Sequence, residues 1–147
     1  MARQHLGQQD QQGDQGVGKR PGLPRAPAKI EHGVGMAHNP RYPEAPPVPE
    51  RVLINPRITP LSEVTIRGWE GCLSVPGLRG EVARWASIRL QWRDPWGRSH
   101  DETCSGFEAR VLQHECDHLD GVLFPDRLHA PTAFGFEDEL EAAGLLP

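Results

Sequence analysis

His114-Glu115-Cys116-Asp117-His118 is the stretch on which the reading of this 147-residue chain turns. Two imidazoles four positions apart project from one face of a helix and are spaced to grip one metal ion. The Glu directly after the first His sets a carboxylate beside the ion's open position, where it can take a proton from water; this is the arrangement of a metal-dependent hydrolase. The competing reading is a surface helix with two solvated histidines, and the flanking sequence argues against it. Ser105-Gly106-Phe107-Glu108 has the form of a capping box, Phe107, Val111, His114, Glu115 and His118 recur at helical spacing, and Asp120-Gly121 supplies a left-handed stop. Both histidines are thereby expected on the buried stripe of a roughly four-turn helix, where imidazoles without a ligand would be costly. Cys116, two positions from His114, faces away and is expected to pack.

Two histidines leave room for a third protein ligand. Upstream, Glu70-Gly71-Cys72-Leu73-Ser74-Val75-Pro76-Gly77 frames one Cys with Gly and Ser ahead of a Pro-Gly turn, a setting in which an irregular segment can present a thiolate. Read alone, Cys72 fits core filler better than a ligand.

The two segments together, Glu-Gly-Cys-Leu-Ser and then His-Glu-x-x-His-x-x-Gly, resemble the peptide deformylases, which remove the N-formyl group from the initiating methionine of new proteins. The resemblance runs over residues 36–128 and takes in Val75-Pro76-Gly77-Leu78-Arg79-Gly80 and Leu119-Asp120-Gly121-Val122-Leu123-Phe124-Pro125-Asp126-Arg127-Leu128. It implies that Cys72, His114 and His118 hold the metal, that Glu115 is the catalytic acid and base, and that the Leu73 backbone amide helps stabilise the oxyanion. It further implies that Arg79 contacts the peptide backbone of the substrate and that Phe107 and Val111 line the pocket for the methionine side chain. The implied cofactor is one divalent ion, Fe2+, with zinc, nickel or cobalt able to occupy the same donors.

One family signature departs. A Gly-x-Gly-Leu-Ala-Ala-Pro-Gln stretch normally supplies a Gln to the oxyanion, whereas this chain has Gly33-Val34-Gly35-Met36-Ala37-His38-Asn39-Pro40, with Pro40 at the Gln position in an ungapped match. Proline has no such donor. A second alignment assigns His38-Asn39-Pro40-Arg41-Tyr42-Pro43-Glu44 to the loop after the family's early strands, with the signature and its strand deleted. Both lack the Gln, so three functions stand open: an active deformylase at full or reduced rate, a non-catalytic relative that keeps the metal site, and, least favoured, a zinc peptidase sharing only the helix.

Composition bounds the rest. Residues 1–29, rich in Gln, Gly, Pro and Arg, are expected as a disordered low-complexity tail that looks like replaced or truncated sequence. Residues 30–130 are expected to form the catalytic domain and 131–147 an acidic C-terminal tail carrying a short helix. A net charge of −4 without a Lys/Arg stripe argues against nucleic acid as partner. There is no apolar run long enough for a membrane span or signal peptide, and three scattered cysteines do not suggest a disulfide framework. A cytoplasmic monomer acting on N-formyl-methionyl nascent chains near the ribosome is the expectation.

The fold class expected is α+β, antiparallel strands packed around a central metal-binding helix. Val52-Leu53-Ile54 is expected as a strand ended by Asn55-Pro56, Val64–Trp69 as another, Val82–Trp92 as one long strand broken in pattern by Arg84, Asp94-Pro95-Trp96-Gly97 as a turn, and Arg98–Cys104 as the return strand. Trp69, Trp85, Trp92 and Trp96 are expected in core and edge packing.

Overall fold

Alternating apolar and polar side chains build two antiparallel sheets in the computed structural model, which describes residues 30–36, for their backbone only, and 42–146. The strands are β1 (Ile30–Met36), β2 (Val48–Pro60), β3 (Thr65–Cys72), β4 (Val75–Trp85), β5 (Ser87–Arg93), β6 (Ser99–Ser105) and β7 (Phe134–Phe136). The helices are α1 (Gly106–Leu119) and α2 (Glu137–Ala142), with a 3-10 turn at Phe124–Arg127. One sheet has the order β1-β2-β5-β6 and the other β3-β4-β7. The α+β architecture is thus as expected, and among the described residues no helix is long and apolar enough to cross a membrane.

Several boundaries differ from the sequence reading. Asn55-Pro56 does not end β2; the strand passes through a register shift between Ile54 and Arg57, with Asn55 at φ 50°, and runs on to Pro60. Asn tolerates the left-handed region, and a bulge absorbs the missing N–H of Pro. Val82–Trp92 is two strands in two sheets, broken at Ala86, whose N–H donates to the Val64 carbonyl at 2.9 Å while its own carbonyl accepts from the Gly106 N–H at 3.0 Å. The inward positions Val82 and Arg84, then Ile88, Leu90 and Trp92, stay in phase across the bend, so periodicity alone cannot report the change of sheet.

The expected tail at 131–147 is also more than a tail. Phe134–Phe136 pairs with β4 at Leu78↔Phe136, Arg79↔Gly135 and Gly80↔Phe134, and Leu140 is buried beneath α2. Gly80 is required here, since a Cβ would meet Leu128 Cδ2 at 2.5 Å and Phe124 Cε2 at 2.9 Å. The expected disordered segment 1–29 and the residues His38-Asn39-Pro40 lie outside the described residues. Gly33–Met36 runs within β1, paired with β2.

Helix α1 starts and stops where expected, by different means at its N-terminus. Ser105 is the N-cap in extended backbone but makes no side-chain cap bond, and Glu108 instead pairs with Arg51. At the other end Gly121 takes φ 72° and closes onto the His118 carbonyl at 3.1 Å. The buried residues of α1 are Ala109, Val111, Leu112, Gln113 and Asp117, with His114 and His118 only partly covered. The histidines therefore border a cleft instead of facing the core, which is what access by a ligand requires. Leu112 and Ala109 close the larger core against Leu53, Ile88, Leu90 and Trp92; Cys72, Val82 and Phe124 form a second one on the β3-β4 sheet. Trp92 packs as expected, while Trp96 lies 79% exposed on its turn with Arg98 against the ring.

Candidate metal centre and its cleft

Cys72 closes β3, and its cross-strand partner is Val75, so Leu73-Ser74 forms a tight two-residue connection. The register slips between Glu70 and Cys72, and this irregularity aims the thiol out of the ladder toward α1. One helical turn separates His114 from His118, and their rings meet edge to face at 4.8 Å between centroids. Cys72 Sγ lies 3.4 Å from His118 Nε2, and the donor atoms of Cys72, His114 and His118 all fall within 4.8 Å of one another. Thiolate and imidazole at that separation fit a divalent transition metal, the chemistry such a donor set selects.

What holds the set in place is a buried charge network that the sequence did not announce. Glu70 is 2% exposed and accepts from His114 Nδ1 at 2.9 Å, leaving Nε2 of that ring as its metal-facing atom. Arg84, the one break in the strand pattern, bonds Glu70 through Nε and a terminal nitrogen, both at 2.9 Å, and reaches Asp117 on α1 at 2.6 Å. Arg110 from α1 adds a bond to Glu70 at 2.8 Å and bonds the Val82 carbonyl at 3.1 Å and the Ile66 carbonyl at 2.6 Å. Gln113 grips the Trp85 backbone at both its N–H and its carbonyl, each at 3.0 Å. The ligand helix is thus fastened to β3 and β4 by polar side chains spaced along its inner face. Glu70 and Arg84 both break apolar expectation on adjacent strands, which is the faint sequence signal that could have flagged them.

Electrostatics match this assignment. Burial pushes the Glu70 carboxyl up, but hydrogen bonds and charge from Arg84 and His114 outweigh it and bring the group to about 2. Burial likewise opposes charge on His114, yet bonding to Glu70 and Cys72 raises it to about 9. Cys72 is lowered, since the bonds from His114 and the Ser74 backbone N–H exceed the effect of burial. The thiol is therefore biased toward thiolate, its ligand form. Cys104 shows the contrast: burial and the nearby Glu108 and Glu102 lift it to about 11. That second grouping of Glu102, Cys104 and Glu108 is already occupied by Arg51, which pairs with both carboxylates.

The cleft over the three donors has a volume of about 310 Å3, and its walls include Tyr42, Leu73, Phe107, Val111 and Glu115. Glu115 lines the same cleft, and its charge lies close enough to His114 to help raise that imidazole. Leu73 is 87% exposed, and its side chain has no polar group, so only its backbone can take part in chemistry. Arg79 is the expected site residue that does not line the cleft. It is buried one layer behind, ion-paired to Glu137 at 3.0 Å and set against the Tyr42 ring at 5.1 Å. Tyr42, which sequence reasoning did not single out, accepts from the Gly71 N–H at 3.2 Å and packs against the Phe107 ring at 5.1 Å between centroids with the planes tilted by 55°. Cys116 lines a separate cleft of about 410 Å3 on the far side of α1, away from the three donors.

Comparisons with known proteins point to one family. The family described as polypeptide deformylase matches residues 30–133. A peptide deformylase 1 of Prochlorococcus marinus is 56% identical over 112 residues, 76% of this chain and 58% of that protein. A peptide deformylase of Leptospira biflexa is 53% identical over 108 residues, 74% of this chain and 60% of that one. Among solved structures, a class I type b peptide deformylase from Acinetobacter baumannii with Met-Ala-Ser bound superposes with a TM-score of 0.60 at 40% identity, covering 67% of this chain and 60% of its own. The Thermotoga maritima peptide deformylase gives 0.53 at 38% identity, covering 59% and 57%. The chain spans about three-fifths of the length of these curated relatives.

Proposed function

The chain belongs to the polypeptide deformylase family, and from that premise we propose that it hydrolyses the formyl group from the N-terminal methionine of newly made proteins. The observation that carries this is the convergence of Cys72, His114 and His118 within 4.8 Å in a cleft that Glu115 also lines. Cys72, His114 and His118 would hold a divalent ion, Fe2+ with zinc, nickel or cobalt as substitutes, which would supply Lewis acidity and lower the pKa of water toward neutrality. Glu70 fixes the tautomer and orientation of His114 by accepting its Nδ1 proton. Glu115 accepts the proton of the attacking water and delivers it to the departing amine. The Leu73 N–H donates to the oxyanion that develops on the formyl oxygen as water adds to the formyl carbon. Phe107 and Val111 receive the methionine side chain, and Arg79 serves the peptide from behind the Tyr42 wall. The substrate is then an N-formyl-methionyl peptide of a nascent chain, met near the ribosome by a monomer in the reducing cytoplasm. The peptide Met-Ala-Ser seen on the Acinetobacter baumannii relative has the chemistry of the deformylated product.

A second reading, metal retention without efficient turnover, has its own support. The walls of the cleft contain no Gln among the described residues, so among those residues one oxyanion donor of the family pattern has no counterpart. Anaerobic loading with Fe2+ followed by measurement of formate released from a formyl-methionyl peptide separates the two. Metal-dependent formate release supports hydrolysis. A fully loaded protein that releases none leaves the binding reading.

A further inference from the structure

The C-terminal segment lies beyond the family match, which ends at residue 133, yet it reaches the wall of the cleft through Arg79. Helix α2 is anchored by buried Leu140, which packs on Gly135, and β7 is laddered to β4 at Arg79↔Gly135. These contacts deliver Glu137 to Arg79 at 3.0 Å. The Arg79 side chain is only 3% exposed, and its Nε is buried with no hydrogen-bond partner. Glu137 is therefore the one carboxylate that balances this guanidinium among the described residues. On its other side the same guanidinium lies 5.1 Å from the Tyr42 ring, within cation–π range. Its stem packs so closely on Gly71 that a Cβ there would stand 3.0 Å from Arg79 Cδ. Gly71 in turn donates to the Tyr42 hydroxyl and precedes Cys72 in β3.

We infer that Glu137 is a positioning residue for substrate binding: by holding Arg79 beneath Tyr42, the C-terminal helix sets the wall against which the peptide is received. The inference deepens the deformylase reading and rests on it for its kinetic part. With Glu137 neutralised, a nearly dry guanidinium loses its counter-charge and moves toward water, and Tyr42 loses the surface it rests on. Metal binding draws on Cys72, His114 and His118 and not on the Arg79–Glu137 pair, so it persists.

The chain has one tyrosine, so 3-fluorotyrosine labelling gives a single 19F resonance reporting on Tyr42. In the full, metal-loaded chain, Glu137→Gln is expected to shift that resonance and to raise KM for a formyl-methionyl peptide about tenfold, since one or two side chains must be re-ordered at each binding event. kcat is expected to stay within about threefold, because no proton-transfer group is touched. Glu137→Asp keeps the charge and recovers part of both effects, and Glu141→Gln, exposed on the same helix, leaves both at wild type. An unmoved resonance in Glu137→Gln overturns the inference whether or not the chain is active. So does a KM that falls, which would mean that Glu137 withholds Arg79 from the peptide. A shifted resonance in a chain that releases no formate supports the Glu137–Arg79–Tyr42 connection and counts instead against the deformylase reading.

Discussion

Replacing Glu70 by Gln keeps the side chain's shape and removes the charge at the centre of the network. Arg84 and Arg110 then lose their shared carboxylate and His114 loses a charged acceptor. Breaking one partner of a buried ion pair typically costs about 3–5 kcal/mol, and the low end applies because Arg84 keeps Asp117 at 2.6 Å. An independent route agrees. Glu70 titrates at about 2 instead of the ordinary 4.5, a gap worth about 3 kcal/mol at neutral pH. The folded-state value is depressed, so the contribution is complete above 4.5 and is lost as pH falls from there through about 2. Urea unfolding of the metal-free chain should show Glu70→Gln less stable by about 3 kcal/mol at pH 7, with the difference from wild type shrinking below about pH 4.5. Metal affinity, read anaerobically against a competing chelator, should fall about 10- to 100-fold, as when a carboxylate that orients a ligating imidazole is removed. Wild-type stability together with wild-type affinity in this variant would refute the claim that Glu70 sets the ligand geometry.

Other outcomes follow from the same site. Ala in place of Cys72, His114 or His118 should abolish stoichiometric metal binding, while Cys104→Ala and Cys116→Ala should retain it; full metal content in Cys72→Ala would exclude the three-ligand centre. Glu115→Gln should hold its metal while formate release drops about 100-fold or more, because the amide cannot carry a proton; unchanged turnover removes Glu115 from the chemistry. Substituting a complete Gly-rich segment with its Gln and supporting strands for residues 1–36 should raise formate release at equal metal loading by about 100- to 1000-fold, the usual contribution of an oxyanion donor. A native chain that already matches an intact relative would show that another group makes that bond.

Much of the site was legible because its logic is local. The four-residue spacing of His114 and His118 shares a helix face whatever the fold does around it, and Glu115 follows by adjacency. The Gly121 stop and the Asp94–Gly97 turn are likewise set by backbone preferences of the residues that form them, as Gly97 at φ 82° and its bond to the Asp94 carbonyl at 2.9 Å illustrate. Strand alternation was equally readable, and Ile88, Leu90 and Trp92 are buried as their spacing demands.

Tertiary structure decided what is long-range. Glu70 and His114 are 44 positions apart, and nothing in either segment's pattern names the other as partner; sheet register and the docking of α1 bring them together. Arg84 stood out as a polar break, but whether a buried arginine is an error of register or a hub between two carboxylates depends on what lies across the sheet. The exchange of sheets at Ala86 was invisible because the two-residue period continues through the bend. Arg79, matched by motif to the substrate, sits behind the cleft because β7 and α2 fold back to pair with β4 and bring Glu137 over it. Residue type and spacing thus determined which groups could do chemistry, since helical and strand periodicity are properties of a few neighbouring bonds. Which charges neutralise one another, and so which side chains are held rigid around the ligands, was left to the packed chain, because burying a charge is affordable only where a partner from elsewhere in the sequence arrives.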